Sequence, residues 1–473
     1  MAGDGAGRLV GGTAVEIAAA VRAGQVTPLE VAEAHLERIA AVDRRLGAFH
    51  LVRAGEVREE ARELQARRDL AELPLAGVPV AIKDNVHLAG APTRLGSAAT
   101  PAEPVEADAE PVRRLRAAGA LLIGKSSVPE LCLWPFTESE AFGETRNPWS
   151  LAHSPGGSSG GAGAAVAAAM VPLALGADGG GSIRMPASMC GLVGIKPGRG
   201  VVPFPDDVSS WLGMSEVGPL ATTVADLGLC LEVLAGAGPA DGAGSAGYGA
   251  VAPPGRALRV GVTARPPAVG VRVHPEVRAA LDATAAVLRE AGHRVEAADP
   301  PWRYGDAGTF LHRVFLGCAE DAEGLPAAAL EPRTRAEARV GRILRRVTRA
   351  PDGPPARAVA RFLAWFRDYD MLLSPTLAAP PLRIGAYRGK GLTRTMLGVS
   401  GFMPFTPPFN LVGFPAASVP AGSSADGLPI GVQLGAGPGG EALLLSLARQ
   451  LETLRPWPRH APLDPVAAPA QRS

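Results

Sequence analysis

The stretch from His153 to Arg199, HSPGGSSGGAGAAVAAAMVPLALGADGGGSIRMPASMCGLVGIKPGR, limits the fold more than any other part of the chain. Two bare-backbone turns, Gly156 to Gly161 and Asp178 to Ser182, are separated by the Ala-rich run Ala162 to Met170 and the apolar run Leu173 to Gly176. The spacing predicts a helix over the first run and a buried strand over the second. Serine hydroxyls are thereby set on two tight turns. A phosphate loop would need a lysine directly after its last glycine, followed by Ser or Thr, and neither cluster has one. A dinucleotide fingerprint would need an acidic residue on the next strand, which neither cluster clearly supplies. A Gly/Ser linker would not be interrupted by a helix and a strand of fold-forming length.

With 473 residues, 47% of them hydrophobic, the chain can bury a large core. A prior of about 150 residues per domain would divide it into three units. The net charge of +1 provides no field to draw nucleic acid or an anionic membrane, so a small neutral partner fits better. Cys132, Cys190, Cys230 and Cys318 lie far apart without a CxxC pair, which argues against a zinc site or a disulfide framework and points to the reducing cytosol. No signal-type N-terminus and no membrane-spanning run is read.

Of the 47 basic residues only Lys83, Lys125, Lys196 and Lys390 are lysine. In a chain that writes its surface charge as arginine, a lysine marks a position that needs an amine able to lose its proton. Lys390, in a Gly-flanked loop, is exempted.

Along the chain, Thr13 to Ala23, Pro28 to Val42 and Glu56 to Leu70 read as helices, with Thr27 capping the second. Gly77 to Asn85 is a short apolar strand ending in Lys83, a place where chemistry often sits. Val112 to Ala118 is helical and Leu121 to Ile123 a strand, giving α/β alternation. Val224 to Ala235 is a helix capped by Thr222 or Thr223. After a Gly/Ala/Ser/Pro-rich stretch from Ala237 to Pro254, strands are expected at Leu258 to Val262, His293 to Ala297, Met371 to Ser374, Ala417 to Val419 and Gly431 to Leu434. Helices are expected at His274 to Ala291 and Glu441 to Leu451. Seven arginines between Arg333 and Arg349 have no interleaved aromatic residue and read as a solvated helix face rather than a nucleic-acid surface.

Several motifs together resemble the amidase signature family: VAIKDN around Lys83, GGSSGG at Gly156 to Gly161, GGGSIRMPA at Gly179 to Ala187, and CGLVGIKPGRG from Cys190. LLSPTLAAPP, FNLVGFPAASVPAG and GLPIGVQLG follow in the family's order, so the resemblance spans about residues 10 to 455. It implies one large α/β domain around a mixed, mostly parallel central sheet covered by helices, in place of three units. The parts expected are an N-terminal helical layer (1–70), a signature core (71–236), a Gly/Ala/Pro-rich loop (237–256), a second α/β portion completing the same domain (257–460) and a flexible tail (461–473).

The resemblance also implies a Ser, cis-Ser, Lys triad at Ser182, Ser158 and Lys83. Ser158 is preferred over Ser159 on the family's pattern alone. An amide needs a nucleophile, a base that takes and returns a proton, and donors for the developing oxyanion. Ser182 would attack the carbonyl carbon, and a neutral Lys83 would accept its proton through Ser158. The N–H groups of Gly179, Gly180, Gly181 and Ser182 would form the oxyanion hole. Asp178 and Arg184 flank this turn as an expected ion pair. The acyl pocket is expected from Leu131 to Phe136, including Trp134, and around Trp211, Met214 and Phe405 to Phe409. This apolar set favours aryl or alkyl amides over glutamine.

Two other enzymes compete with this reading. One is the glutaminase subunit of a tRNA-dependent amidotransferase, which the SSWLGMSEVG run at Ser209 to Gly218 resembles less than it resembles stand-alone amidases. The other is a Ser/His esterase, with His153 as its base before a literal GxSxG at Gly156 to Gly160, which would leave the second cluster without a role; His87, close after Lys83, is expected at the mouth of the site. The chain departs from the family where Ala177 and Gly179 replace hydroxyl residues and where Ser127 and Ser139 stand in common Asn positions. A cytoplasmic enzyme acting on a small-molecule amide is expected, with no metal, no organic cofactor, and neither a nucleic-acid nor a membrane partner. A homodimer is compatible with this reading.

Overall fold

Thr13 and Thr27 accept hydrogen bonds from the backbones of Glu16 and Glu30, whose carboxylates bond back to the threonine N–H groups. These reciprocal capping boxes start α1 (Ala14–Arg22) and α2 (Pro28–Leu46). After β1 (Phe49–Val52), α3 (Ala54–Gln65) completes a helical layer. It stops short of Leu70, because Arg67 and Asp69 pair within a turn and Leu70–Glu72 winds as a separate 3-10 segment. The computed structural model describes residues 9–204, 210–236, 247–349 and 353–463. Parts of the Ala237 to Pro254 stretch and of the 461–473 tail lie outside the described residues.

The chain continues through β2 (Pro79–Lys83), α4 (Glu110–Ala117), β3 (Leu121–Ser126), a small hairpin of β4 (Glu138–Ser139) and β5 (Gly143–Glu144), α5 (Gly160–Ala167), β6 (Leu173–Asp178), α6 (Arg184–Cys190), β7 (Val193–Lys196), β8 (Glu216–Ala221) and α7 (Val224–Ala235). Thr223, rather than Thr222, caps α7 by accepting from the Asp226 N–H. The second half is β9 (Arg259–Val262), α8 (Pro275–Glu290), β10 (Arg294–Ala297), α9 (Tyr304–Asp321), α10 (Pro332–Val347), α11 (Ala356–Trp365), β11 (Met371–Pro375), α12 (Leu392–Phe402), α13 (Pro407–Val412), β12 (Ala416–Ser423), β13 (Pro429–Gly435) and α14 (Glu441–Leu454). The sequence expectation lacked β1, β4, β5, β7, β8, α9 and α11 to α13. In α9 the helical pattern is diluted by Gly305, Gly308 and Gly317, and β8 carries Gly218 and Pro219, which read as breakers.

Eleven strands form one sheet in the order β1-β3-β2-β6-β8-β7-β12-β13-β11-β9-β10. The sheet is mixed, as expected. Its parallel blocks, β3-β2-β6 and β11-β9-β10, flank an antiparallel centre of β8-β7-β12-β13. Helices cover the sheet, and one continuous apolar core joins the N-terminal layer to α14. Every residue of α5 is buried, and its small side chains let the helix lie against backbone. A Cβ at Gly161 would run into the main chain of Ala48 and Ser127.

The sheet positions the site through register. β2 and β6 are parallel neighbours with Ile82 opposite Leu175, so Lys83 and the Ala177-Asp178 pair finish at the same edge. The turn from Gly179 to Ile183 then leads into α6 beside the Gly156 to Ser159 loop, where the Ser159 N–H donates to the Ser182 carbonyl at 3.2 Å. Thus the two glycine clusters meet.

Candidate active site

Lys83 is only 1% exposed, and its Nζ donates to Ser158 Oγ at 2.8 Å and to the Ala177 carbonyl at 2.8 Å. Burial depresses its pKa below the ordinary lysine value, and neither of its hydrogen-bond partners is charged. Lys125, on the neighbouring strand, is the contrast. It lies 3.4 Å from Asp84, which also faces His50 at 3.0 Å, and it donates to the Val86 carbonyl at 2.6 Å. Of these two adjacent buried amines, one has a carboxylate and the other a serine.

The Gly157–Ser158 peptide is cis. Thr137 holds this loop by donating to the Gly156 carbonyl at 2.8 Å. Ser159 turns away to the Ala177 carbonyl at 3.3 Å. The Cys132 thiol, inside the Leu131 to Phe136 run expected at the pocket, lies against Ser158 and Lys83, and burial raises its pKa.

The turn carrying Ser182 is clamped from beneath. Asp178 and Arg184 pair through two 2.9 Å contacts and are both fully buried. Burial alone would raise the Asp178 pKa, but the Arg184 charge and the hydrogen bonds from Arg184 and Asn410 hold it well below the usual carboxylate range. Arg184 also reaches the Thr406 carbonyl at 2.9 Å, Gln433 Oε1 at 2.7 Å and Asn410 Oδ1, while Thr406 Oγ1 donates to the Gly180 carbonyl at 2.7 Å. Thr406 lies in the Phe405 to Phe409 run already expected at the pocket, whereas Asn410 and Gln433 are functional neighbours that sequence reasoning passed over. Their signal was an amide side chain set within an otherwise apolar run, in FNLVGF and GVQLG.

One expected donor is otherwise engaged. The Gly181 N–H, expected in the oxyanion hole, donates to Asp178 Oδ1 at 2.6 Å, and with φ at +128° the residue turns the chain rather than facing the cavity. Among the described residues the N–H groups of Gly179, Gly180 and Ser182 make no hydrogen bond within the protein. Ser182, 8% exposed, opens onto two cavities, of ≈ 120 Å³ and ≈ 610 Å³. Trp134 lines the first, Leu131 the second, and Trp211 both. Met214 lies behind Trp211, packed with Val314 and Leu411, and lines neither cavity.

The histidines divide. His87 is in the wall of the larger cavity, with Nδ1 2.7 Å from Thr93 Oγ1. His153 bonds to Ser150 and lines neither cavity. The arginine run on α10 is partly spent on packing, since Arg333 lies 5.3 Å over the Trp134 ring and Arg345 pairs with Glu323 at 2.9 Å. No helix among the described residues is long and apolar enough to cross a membrane.

Comparison with known proteins gives this geometry a context. The sequence model of the Amidase family matches residues 30–305 and 355–445. The chain belongs to the amidase signature family. This amidase-family chain is 44% identical over 445 residues to a Mycobacterium tuberculosis protein provisionally named amidase AmiB2, covering 93% of this chain and 95% of that one. It is 36% identical over 477 residues to an acylamidase of Rhodococcus erythropolis, covering 96% and 97%. Its fold superposes on 6-aminohexanoate cyclic dimer hydrolase with a TM-score of 0.82 at 31% identity, covering 94% of this amidase and 97% of that chain. It is therefore a hydrolase of carbon–nitrogen bonds in amides.

Proposed function

We propose that the protein cleaves a carboxamide through an acyl ester on Ser182. A neutral Lys83 takes the Ser158 hydroxyl proton while Ser158 takes that of Ser182, and the Ser182 oxygen adds to the carbonyl carbon. The oxyanion is held by the N–H groups of Gly179, Gly180 and Ser182. The proton returns through Ser158 to the leaving nitrogen, the C–N bond breaks, and ammonia or an amine departs. Water, activated by the same pair, then hydrolyses the ester to a carboxylic acid. The observation carrying this reading is the buried Lys83 amine, 2.8 Å from Ser158 Oγ and hydrogen-bonded to no carboxylate. Four free thiols fit a reducing cytoplasm.

Incubation with a fluorophosphonate should add one adduct, placed on Ser182 by peptide mass mapping. An adduct on any other residue overturns the assignment.

A second reading has one observation in its favour. The chain is 37% identical over 470 residues to a glutamyl-tRNA(Gln) amidotransferase component from a Synechococcus strain. The largely apolar wall of the smaller cavity favours a stand-alone amidase. Purified alone, the protein should release ammonia from benzamide, whereas activity restricted to glutamine and a partner chain would favour the amidotransferase.

A further inference from the structure

The two cavities meeting at Ser182 differ in size and chemistry. The smaller, ≈ 120 Å³, is walled by Trp134, Trp302, Phe310, Leu311 and Met403. The larger, ≈ 610 Å³, is walled by Lys83, His87, Thr93, Ser210, Ser215 and Asp321. Among the described residues only Cys132, Ser182 and Trp211 line both. Helix α9 runs along the pair, giving Ala307, Phe310, Leu311 and Val314 to the first and Asp321 to the second, with Gly317 between them on the same face.

Trp211 crosses at that glycine. A Cβ on Gly317 would lie 2.6 Å from the indole Cδ1, and a Cβ on Gly179 would lie 3.0 Å from Cε3 and 2.7 Å from Ser215 Oγ. The indole is thus fitted between the Ser182 turn and α9, where two glycines leave it room. Its Nε1 donates to Asp321 Oδ2 at 2.8 Å, and Arg313, 1% exposed, donates to the following carbonyl, that of Leu212, at 2.7 Å. Trp211 and Leu212 both take left-handed φ values, +51° and +57°, which side chains other than glycine adopt at a cost.

We propose that Trp211 is a partition that sorts the two halves of the amide, admitting a compact apolar acyl group to the smaller chamber and a larger polar amine to the other. The proposal rests on the roles given above to Ser182, Ser158 and Lys83. The leaving nitrogen must collect its proton from Ser158, and Ser158 and Lys83 line only the larger chamber. With the amine there and the carbonyl oxygen on the turn, the acyl substituent is left to the chamber bounded by Gly180. An apolar cavity of about 150 Å³ holds one benzene ring, so this one takes a phenyl group or a short branched chain. The larger chamber falls in the ~300–1,000 Å³ range of sites for whole small molecules. The substrate class is therefore the benzoyl-sized acyl amide of a hydrophilic amine.

The test uses the full chain and a series of N-(2-hydroxyethyl) amides whose acyl group grows from acetyl through benzoyl to dodecanoyl, with benzamide as the control for amidase activity. For the wild type, kcat/KM should peak near benzoyl and fall at least about 100-fold by dodecanoyl. Trp211→Ala should bring that ratio within about tenfold, mainly by lowering KM for the long acyl group, while Trp211→Phe keeps most of the discrimination. A wild-type rate that climbs steadily to dodecanoyl overturns the partition, and this measurement needs no variant to fold. So does a well-folded Trp211→Ala enzyme with an unchanged ratio. Failure to cleave benzamide and every other amide in the series would instead overturn the amidase reading itself.

Discussion

Lys83 and Lys125 are two buried amines on adjacent strands, and the difference in their partners supports the base proposed at Lys83 and a structural cation at Lys125. Lys125 has Asp84 within 3.4 Å, whereas Lys83 has Ser158 and a carbonyl. Because burial lowers the Lys83 pKa, the reactive neutral amine forms as pH rises, so turnover should climb through an apparent pKa below the ~10.4 of free lysine. Arginine keeps the charge without an accessible neutral state. Lys83→Arg should therefore lose as much activity as Lys83→Ala, with folding checked by circular dichroism. Retention of more than about a tenth of the rate, a barrier change under ~1.4 kcal/mol, would leave Lys83 a structural cation. At this scale the sequence was informative, because rare lysine and paired glycine clusters carry their own chemistry. Gly181 was misjudged because its N–H is directed at Asp178, and a run of three glycines does not reveal which amide points inward.

The elements depend on buried polar groups that lie far apart in the chain. Asp178 ends β6, Arg184 begins α6, Asn410 is on α13 and Gln433 on β13, and their side chains form one network under the Ser182 turn. Asp178→Asn leaves the Arg184 charge uncompensated and should cost about 3–5 kcal/mol in urea unfolding at neutral pH. Because the folded Asp178 pKa is depressed, its contribution is complete above the unfolded value of ~3.9 and is lost as pH falls further, so wild type and variant should converge in acid. Glu337 on α10 behaves in the opposite sense. It is buried beside Cys318 and Thr334 with neither carboxylate oxygen hydrogen-bonded, and burial raises its pKa to about 8 despite Arg333. The folded protein keeps a proton that the unfolded chain has released, so stability declines from about pH 4 up to the folded pKa. Glu337→Gln should flatten that decline and be more stable than wild type at pH 9 by over about 1 kcal/mol, read by thermal unfolding. An equal slope in both proteins would remove Glu337 from the account. The Asp178–Arg184 pair was legible from sequence, but the burial of Glu337 was not. Arg333 to Arg349 reads as a charged surface, and the single acid inside it gives no sign of facing inward.

At the scale of the molecule, the alternation of elements announced an α/β sheet, and the motif order announced its family. The antiparallel centre was not announced, because β7 and β8 are short, carry Gly and Pro, and pair through contacts distant in sequence. Met214 and Trp211, both in one short run, were read alike, yet one lines the cavities and the other supports it from behind. Periodicity does not separate the two faces of an irregular loop.

The strand order has a consequence for how the protein is made. β12 and β13, the last strands among the described residues, occupy the middle of the sheet between β7 and β11. During synthesis, until residue 435 has left the ribosome, the nascent chain has two separate sheets, each with an unpaired edge where its neighbour belongs. The Ser182 turn also lacks Asn410 and Gln433 until each of them has emerged. A chain stopped after Phe405 should therefore take no fluorophosphonate and should aggregate when expressed, and supplying the missing segment in trans should restore labelling. Such a molecule is its own safeguard against premature reactivity, because the nucleophile proposed at Ser182 is assembled only after about 250 further residues, the distance from Ser182 to Gln433, have been made.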